Sequence, residues 1–221
     1  MSEESKTWEI YISKDEFENI RNDPRFVSLL ILGRIVNGIN FCLQSLLQSN
    51  EDSTPAGQRQ RFNSFLIGCG VLYEGLKVAN TLGKYFNDRD SFRNGFGRLL
   101  KDQETKKLQE TVLDSMRNKV AFHYDEDVVT TTLENLNLAS YAFATASSEK
   151  LGAIYFRLAD EVAINFIIGE PGSKEEETRV FREIFTSTSH VLTEFVRCAN
   201  ELIPDVLKDM NWLRRDLHKS S

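Results

Sequence analysis

Two consecutive stretches of the chain repeat apolar residues at helical spacing, and together they commit it to a helical fold. The first opens with Asp23-Pro24, an N-cap residue followed by proline at the first helical position. It carries Phe26, Leu29, Leu30, Leu32, Ile35, Val36, Ile39, Leu43, Leu46 and Leu47. A stripe that wide implies deep burial. Asn50 to Gly57 reads as a polar loop. The second helix then runs from about Gln58 to Phe86, with Phe62, Phe65, Leu66, Cys69, Leu72, Tyr73, Leu76 and Ala79 on one face. Gly33, Gly38, Gly68, Gly70 and Gly75 cost helix stability, which makes sense where two backbones approach closely. Only four prolines occur in the chain, and Pro55 and Pro171 fall in polar, turn-like stretches, as long helices require.

The remaining segments fit the same plan. Ser13-Lys-Asp-Glu16 is a capping box that opens a short helix before Asp23. A short helix is expected over Phe92–Leu100. Another covers about Thr105–Phe122, with Leu108, Val112, Met116 and Val120 at successive i+4 positions and Leu113 beside them. Asp127 caps a short helix reaching Leu136. Residues 141–146 and 153–156 flank a Ser-Ser-Glu-Lys turn region and read equally as a small β-hairpin or a continued helix. A helix over Leu158–Ile168 is broken at Gly169-Glu-Pro-Gly172. A second capping box, Ser173 to Glu176, opens a long helix to about Leu202, and Pro204 opens or kinks a last segment to about Leu213. The expected fold class is all-α. The architecture is a single-domain antiparallel bundle of four to five long helices over residues 1–221, with the hairpin near 141–156 as an option.

Composition narrows the function classes. Hydrophobic residues make up 41% and charged residues 27%, as in a folded globular chain. Cys42, Cys69 and Cys198 are far apart, odd in number and set in apolar helical patterns, which suits reduced core residues. The start of the sequence is acidic and polar, unlike a signal peptide. The longest apolar run, Phe26–Val36, contains Arg34 and is too short to span a bilayer. These features point to the cytoplasm and to no membrane partner. The net charge of −6 argues against a general nucleic-acid coat. Its distribution is uneven, however: Lys84–Lys119 holds nine Lys and Arg against six Asp and Glu. Arg93, Arg98, Lys101 and Lys119 in this stretch are candidates for RNA contact, with a plain solvated face as the competing reading.

Absent motifs exclude further chemistry. Gly68-x-Gly70-x-x-x-x-Gly75 lies inside a helix with the wrong spacing for a dinucleotide loop, and there is neither a P-loop nor a G-x-S-x-G. Three histidines without H-x-x-x-H spacing or a Cys pair give no zinc or di-iron set, so neither metal nor cofactor is expected. His190 reads as a partly exposed structural residue among Ser and Thr, and His218 lies in a polar tail. Trp8 and Trp212 suit packing of the chain ends onto the bundle.

The chemically loaded segment is Arg117-Asn-Lys-Val-Ala-Phe-His123. Arg117 lies at the edge of the apolar stripe, so its guanidinium must enter a groove or meet an anion. His123, six residues on, is about 9 Å further along a smooth α-helix and roughly 120° around it. The two side chains converge on one site only if the helix ends near Phe122 or if two subunits face each other. An Arg and a His without metal ligands suit RNA cleavage. The substrate's own 2′-OH is the nucleophile there, and a base and a cation suffice. A surface arginine, with a histidine at the negative end of the helix dipole, is the competing reading.

Met116-Arg-Asn-Lys-Val-Ala-Phe-His-Tyr-Asp125 resembles the signature of the HEPN superfamily (higher eukaryotes and prokaryotes nucleotide-binding). That signature is an arginine, usually followed by a polar residue, and then a histidine after a short spacer. Asp125, two positions past the histidine, gives the string the flavour of the abortive-infection-like branch. The resemblance covers about ten residues. It implies a HEPN-like core at about 24–137, a helical C-terminal extension at about 139–217, and a homodimer with two facing motifs. It also implies metal-independent cleavage of RNA to a 2′,3′-cyclic phosphate. Many members act as toxins or in phage defence, which would bring a possible antitoxin protein as partner; others keep the fold without activity and serve as binding modules. By the resemblance, His123 is the general base or acid, Arg117 the phosphate and transition-state clamp, and Asn118 the polar residue that positions one of them. Glu74 and Tyr73 on the second long helix are further candidates, with a charge at the bundle edge as the competing reading for Glu74. Tyr124 and Asp125 adjoin the histidine and are candidates by position. Tyr124 stands one residue nearer than the tyrosine that a partner enzyme modifies in one variant, so that regulation is not carried over.

Overall fold

The computed structural model describes residues 8–121, 126–135, 145–146, 154–155, 157–169, 173–208 and 213–216. His123, Tyr124, Asp125 and Trp212 lie outside these residues. The fold is all-α. A short helix α1 (Lys14–Ile20) precedes three long ones, α2 (Pro24–Gln48), α3 (Pro55–Phe86) and α9 (Lys174–Lys208). Between them lie α4 (Asp90–Asn94), α5 (Phe96–Leu99), α6 (Gln103–Leu108), α7 (Glu126–Asn135) and α8 (Arg157–Ile168).

Local chemistry sets the helix starts. Ser13 Oγ accepts from the Glu16 N–H at 3.3 Å, and the Ser13 N–H donates to Glu16 Oε2 at 2.9 Å, a complete capping box. Asp23 Oδ1 accepts from the Arg25 N–H at 2.8 Å, ahead of Pro24. Helix α3 begins at Pro55, not near Gln58. Thr54 Oγ1 caps it by accepting from the Gly57 N–H at 3.2 Å, and proline fills the first helical position as it does in α2. The expected helix over 92–100 is two pieces, broken at Gly95. Asp127 stands in the first turn of α7, not at its cap. Gly169, at φ +81, ends α8 where a side chain would be strained.

One apolar core joins α2, α3 and α9 with the segment from α4 onward. The α9 stripe of Val191, Leu192, Phe195, Cys198, Ala199, Leu202 and Val206 is buried throughout, at helical spacing. That stripe overrides Pro204. Helix α9 continues through it to Lys208, because Leu202, Val206 and their neighbours hold the last turn on the core. At Gly75 the three long helices meet: an added Cβ would stand 2.9 Å from Ile35 Cγ2 and 2.9 Å from Phe195 Cζ. Gly33, expected at a similar contact, has nothing within 4 Å of that point. Cys42, Cys69 and Cys198 are buried and unbonded, and burial pushes the Cys198 thiol up to about 11.

Helix α2 is longer than its apolar run. By length and composition it is long enough to cross a membrane, with a third of its most apolar stretch buried in the fold. Leu30, Phe41 and Leu47 on its outer side are exposed.

Two short antiparallel ribbons complete the fold. Strand β1 (Trp8–Tyr11) pairs with β4 (Leu213–Asp216), with Trp8 opposite Asp216; a helical ending near Leu213 is thereby replaced by a strand. Strand β2 (Thr145–Ala146) pairs with β3 (Ile154–Tyr155), so these four residues take the hairpin alternative.

The helix expected over 105–122 differs most from the sequence reading. From Gln103 to Ala121 it is one continuous run, but Gln109–Leu113 (π1) and Met116–Ala121 (π2) wind as π-helix, with i→i+5 bonding. The buried positions follow suit: Leu108, Leu113 and Met116 are buried, while Val112 is only half-buried. The five-residue step from Leu108 to Leu113 is that of a π turn. The α-helical rotation assumed beyond Arg117 therefore does not hold over Arg117–Ala121, and His123 lies outside the described residues.

Candidate functional site

Helix α3 and the run through π1 and π2 lie side by side, and a polar network fills the crevice between them. Asp114, between the two π segments, is its hub. The Tyr73 hydroxyl donates to Asp114 Oδ1 at 2.7 Å, and Asn118 Nδ2 donates to the same oxygen at 2.8 Å. With its Nδ2 so engaged, the Asn118 amide turns its Oδ1 toward Arg117, whose Nη1 donates to it at 2.7 Å. On the other side of the guanidinium, Nε lies 2.9 Å from Glu74 Oε1. This second contact is an ion pair without aligned hydrogen-bond geometry, because Glu74 Oε1 is buried and accepts no hydrogen bond. Glu74 also meets Lys77, whose Nζ is 3.8 Å from Oε2 and 5.2 Å from the centre of the Tyr73 ring.

The electrostatics follow from this arrangement. One carboxylate, Glu74, meets the guanidinium directly, and Asp114 reaches it only through the Asn118 amide, in a half-exposed crevice; the Arg117 side chain is 32% exposed. The hydrogen bond to Asp114 holds the Tyr73 phenol above its ordinary pKa, with burial and the Asp114 charge adding to it. Tyr73 thus stays a donor. Arg117 has two of its three nitrogens engaged, and Nη2 has no hydrogen-bond or ion-pair partner among the described residues. A guanidinium held on two sides, through Nε and Nη1, can still donate from Nη2 to an anion.

Arg117, Asn118, Glu74 and Tyr73 are thus brought together. Asp114 was missed by sequence reasoning, although its signal is present: it lies four residues before Asn118, on the same face of the helix. The basic candidates have different surroundings. Arg93 is paired with Asp90, and the Lys119 Nζ lies 5.7 Å from the Phe166 ring centre on α8. Arg98 and Lys101 line a groove beside α9 that includes none of the five network residues. His190 lines that groove as well and is exposed. Among the described residues, no three His, Cys, Asp or Glu side chains gather to hold a metal ion. No family model, curated protein or solved structure matches the chain.

Proposed function

We propose that the chain is a metal-independent endoribonuclease of the HEPN type, of the kind that serves as a toxin or phage-defence effector, working at the Arg117 crevice. One observation carries the reading: the Arg117 guanidinium is held through Nε and Nη1, while Nη2 has no partner among the described residues. In the proposed reaction the ribose 2′-oxygen attacks the adjacent phosphorus, and the bond to the 5′-oxygen breaks. This leaves a 2′,3′-cyclic phosphate and a free 5′-hydroxyl. His123 takes the 2′-hydroxyl proton or supplies the one the leaving oxygen needs. Arg117 offsets the charge that builds on the non-bridging phosphate oxygens. Asn118, held by Asp114, keeps the guanidinium in plane. A facing copy of the same motif in a homodimer would double the cations available, and an antitoxin protein would restrain it.

The neutralising carboxylate favours a second reading. With Glu74 at its Nε, Arg117 already has a counter-charge, as in a HEPN-fold binding or interaction module whose motif serves structure. RNA digestion in EDTA separates the two. Wild type should cleave, and a 2′-deoxy nucleotide at the attacked position should block cleavage. His123→Ala should lose about 10²–10⁴ in rate, the usual worth of an acid–base group. Cleavage that requires Mg²⁺, or His123→Ala at full activity, would end the nuclease reading. Arg117→Ala that unfolds the protein without any RNA cleavage by wild type would support the module.

A further inference from the structure

A groove lies away from the Arg117 crevice. It has a volume of about 870 Å³ and runs between α9 on one wall and α5, α6 and π1 on the other. That is the size range of small-molecule sites. Its apolar lining comes from Leu99, Leu108, Val112, Ile184 and Val191. Charged residues surround this floor, and the balance of committed against uncommitted groups gives the groove its character.

The acids are mostly engaged. Asp102 caps α6, accepting from the Thr105 N–H at 2.8 Å and from its hydroxyl at 2.9 Å. Glu194 takes Arg197 at 2.8 Å, and Glu183 takes Arg179 at 2.8 Å. Only Glu104 among the lining acids has no partner among the described residues. Arg98, Lys101 and Lys107 line the same groove, and among the described residues none of their side chains makes an ion pair or hydrogen bond, although the Arg98 charge reaches Glu194. His190 faces them from α9, close enough for its charge to lower the pKa of Asp102 and Glu194, after their own hydrogen bonds. Three cations without a side-chain partner among the described residues on one wall, a histidine on the other and an apolar floor between them match one ligand chemistry.

We propose that this groove binds a phosphorylated small molecule with an apolar or aromatic body, its phosphates on Arg98, Lys101 and Lys107 and its body on the Leu108–Val191 floor. The site does not depend on the nuclease reading, and its occupancy can be measured without any activity.

The probes are inorganic pyrophosphate, ATP and adenosine, titrated into the full-length protein by calorimetry. Pyrophosphate tests the cations alone, and ATP should bind more tightly because it also covers the floor. Both should weaken as salt rises, since these cations are exposed. Adenosine should bind weakly or not at all. The double variant Arg98→Gln/Lys101→Gln changes only exposed side chains and should weaken both anions about tenfold or more. Ser187→Trp, an exposed substitution on the α9 wall, should obstruct ATP more than pyrophosphate; circular dichroism checks that each variant folds. Failure of both anions to bind at about 1 mM, the weak end of specific affinity, overturns the proposal. So does binding that the groove variants leave unchanged, or binding that Arg117→Ala abolishes while the groove variants keep it.

Discussion

Replacing Gly75 and Gly33 by alanine, one at a time, should move stability in opposite directions. Both glycines lie inside long helices, so each substitution gains about the same helix propensity, roughly 0.8–1 kcal/mol. The surroundings differ. At Gly33 the new methyl meets nothing within 4 Å, so Gly33→Ala should stabilise by about that propensity gain. At Gly75 the methyl would come within 2.9 Å of Ile35 Cγ2 and 2.9 Å of Phe195 Cζ. Neither can step aside easily. Ile35 Cγ2 is attached directly to a β-carbon, and the Phe195 ring is fully buried with Phe96 edge-on at 5.0 Å. Forcing a methyl into such a core costs about 1–3 kcal/mol. The propensity gain cancels between the two variants, so their difference isolates the steric cost, about 1–3 kcal/mol. Urea unfolding of the two variants and the wild type measures it through the midpoint at constant m. If Gly75→Ala proves as stable as Gly33→Ala, the three-helix contact at residue 75 is not the close approach described, and the reasoning fails.

The polar crevice and the end of α9 give two further expectations. Tyr73→Phe should cost about 0.5–1.5 kcal/mol, the worth of one hydrogen bond, but nearly nothing in an Asp114→Ala background, because the acceptor is already gone; additive losses would show that Asp114 is not the hub. Asp205 joins α9 to the start of α4, accepting from the Ser91 hydroxyl at 2.6 Å with Arg89 at 3.5 Å. The Ser91 hydrogen bond holds the Asp205 carboxyl below its ordinary pKa, and Arg89 adds to this. The stability it contributes is therefore complete above about pH 4, the ordinary carboxylate value, and is lost as the pH falls through the lower folded one. Asp205→Asn should lose stability less steeply than wild type over that acid window, and equal slopes would count against the coupling.

What could be read from the sequence is what local chemistry decides. Ser13 with Glu16, and Asp23 with Pro24, named their helix starts because a cap needs only neighbouring residues. Thr54-Pro55 carries the same signal, but the polar residues around it read as a loop, so apolar periodicity alone starts α3 three residues late, at Gln58 and not Pro55. Proline at 204 misled for the opposite reason: its local penalty is real, but the burial of Leu202 and Val206 outweighs it. The paired strands at the two ends of the described chain join segments some two hundred positions apart, which no local pattern reports. At the site, Arg117 and Asn118 stood out by motif, and Tyr73 and Glu74 by their position on α3. Asp114 did not, because its role follows from the π-helical path that brings it to Tyr73, and an i+4 reading of Leu108, Val112 and Met116 hides that path.

The π turn at Gln109–Leu113 has a consequence for changes in chain length. Deleting a residue from an α-helix rotates everything beyond it by about 100°, which strips every downstream side chain of its partners. A π turn holds one residue more between bonded groups than an α turn does. Removing exposed Glu110 would tighten the turn to α geometry while Leu113, Met116 and Arg117 keep their facings. This stretch of regular helix thus has the indel tolerance of a loop, and the crevice it serves can survive a shortening that would destroy it one turn earlier.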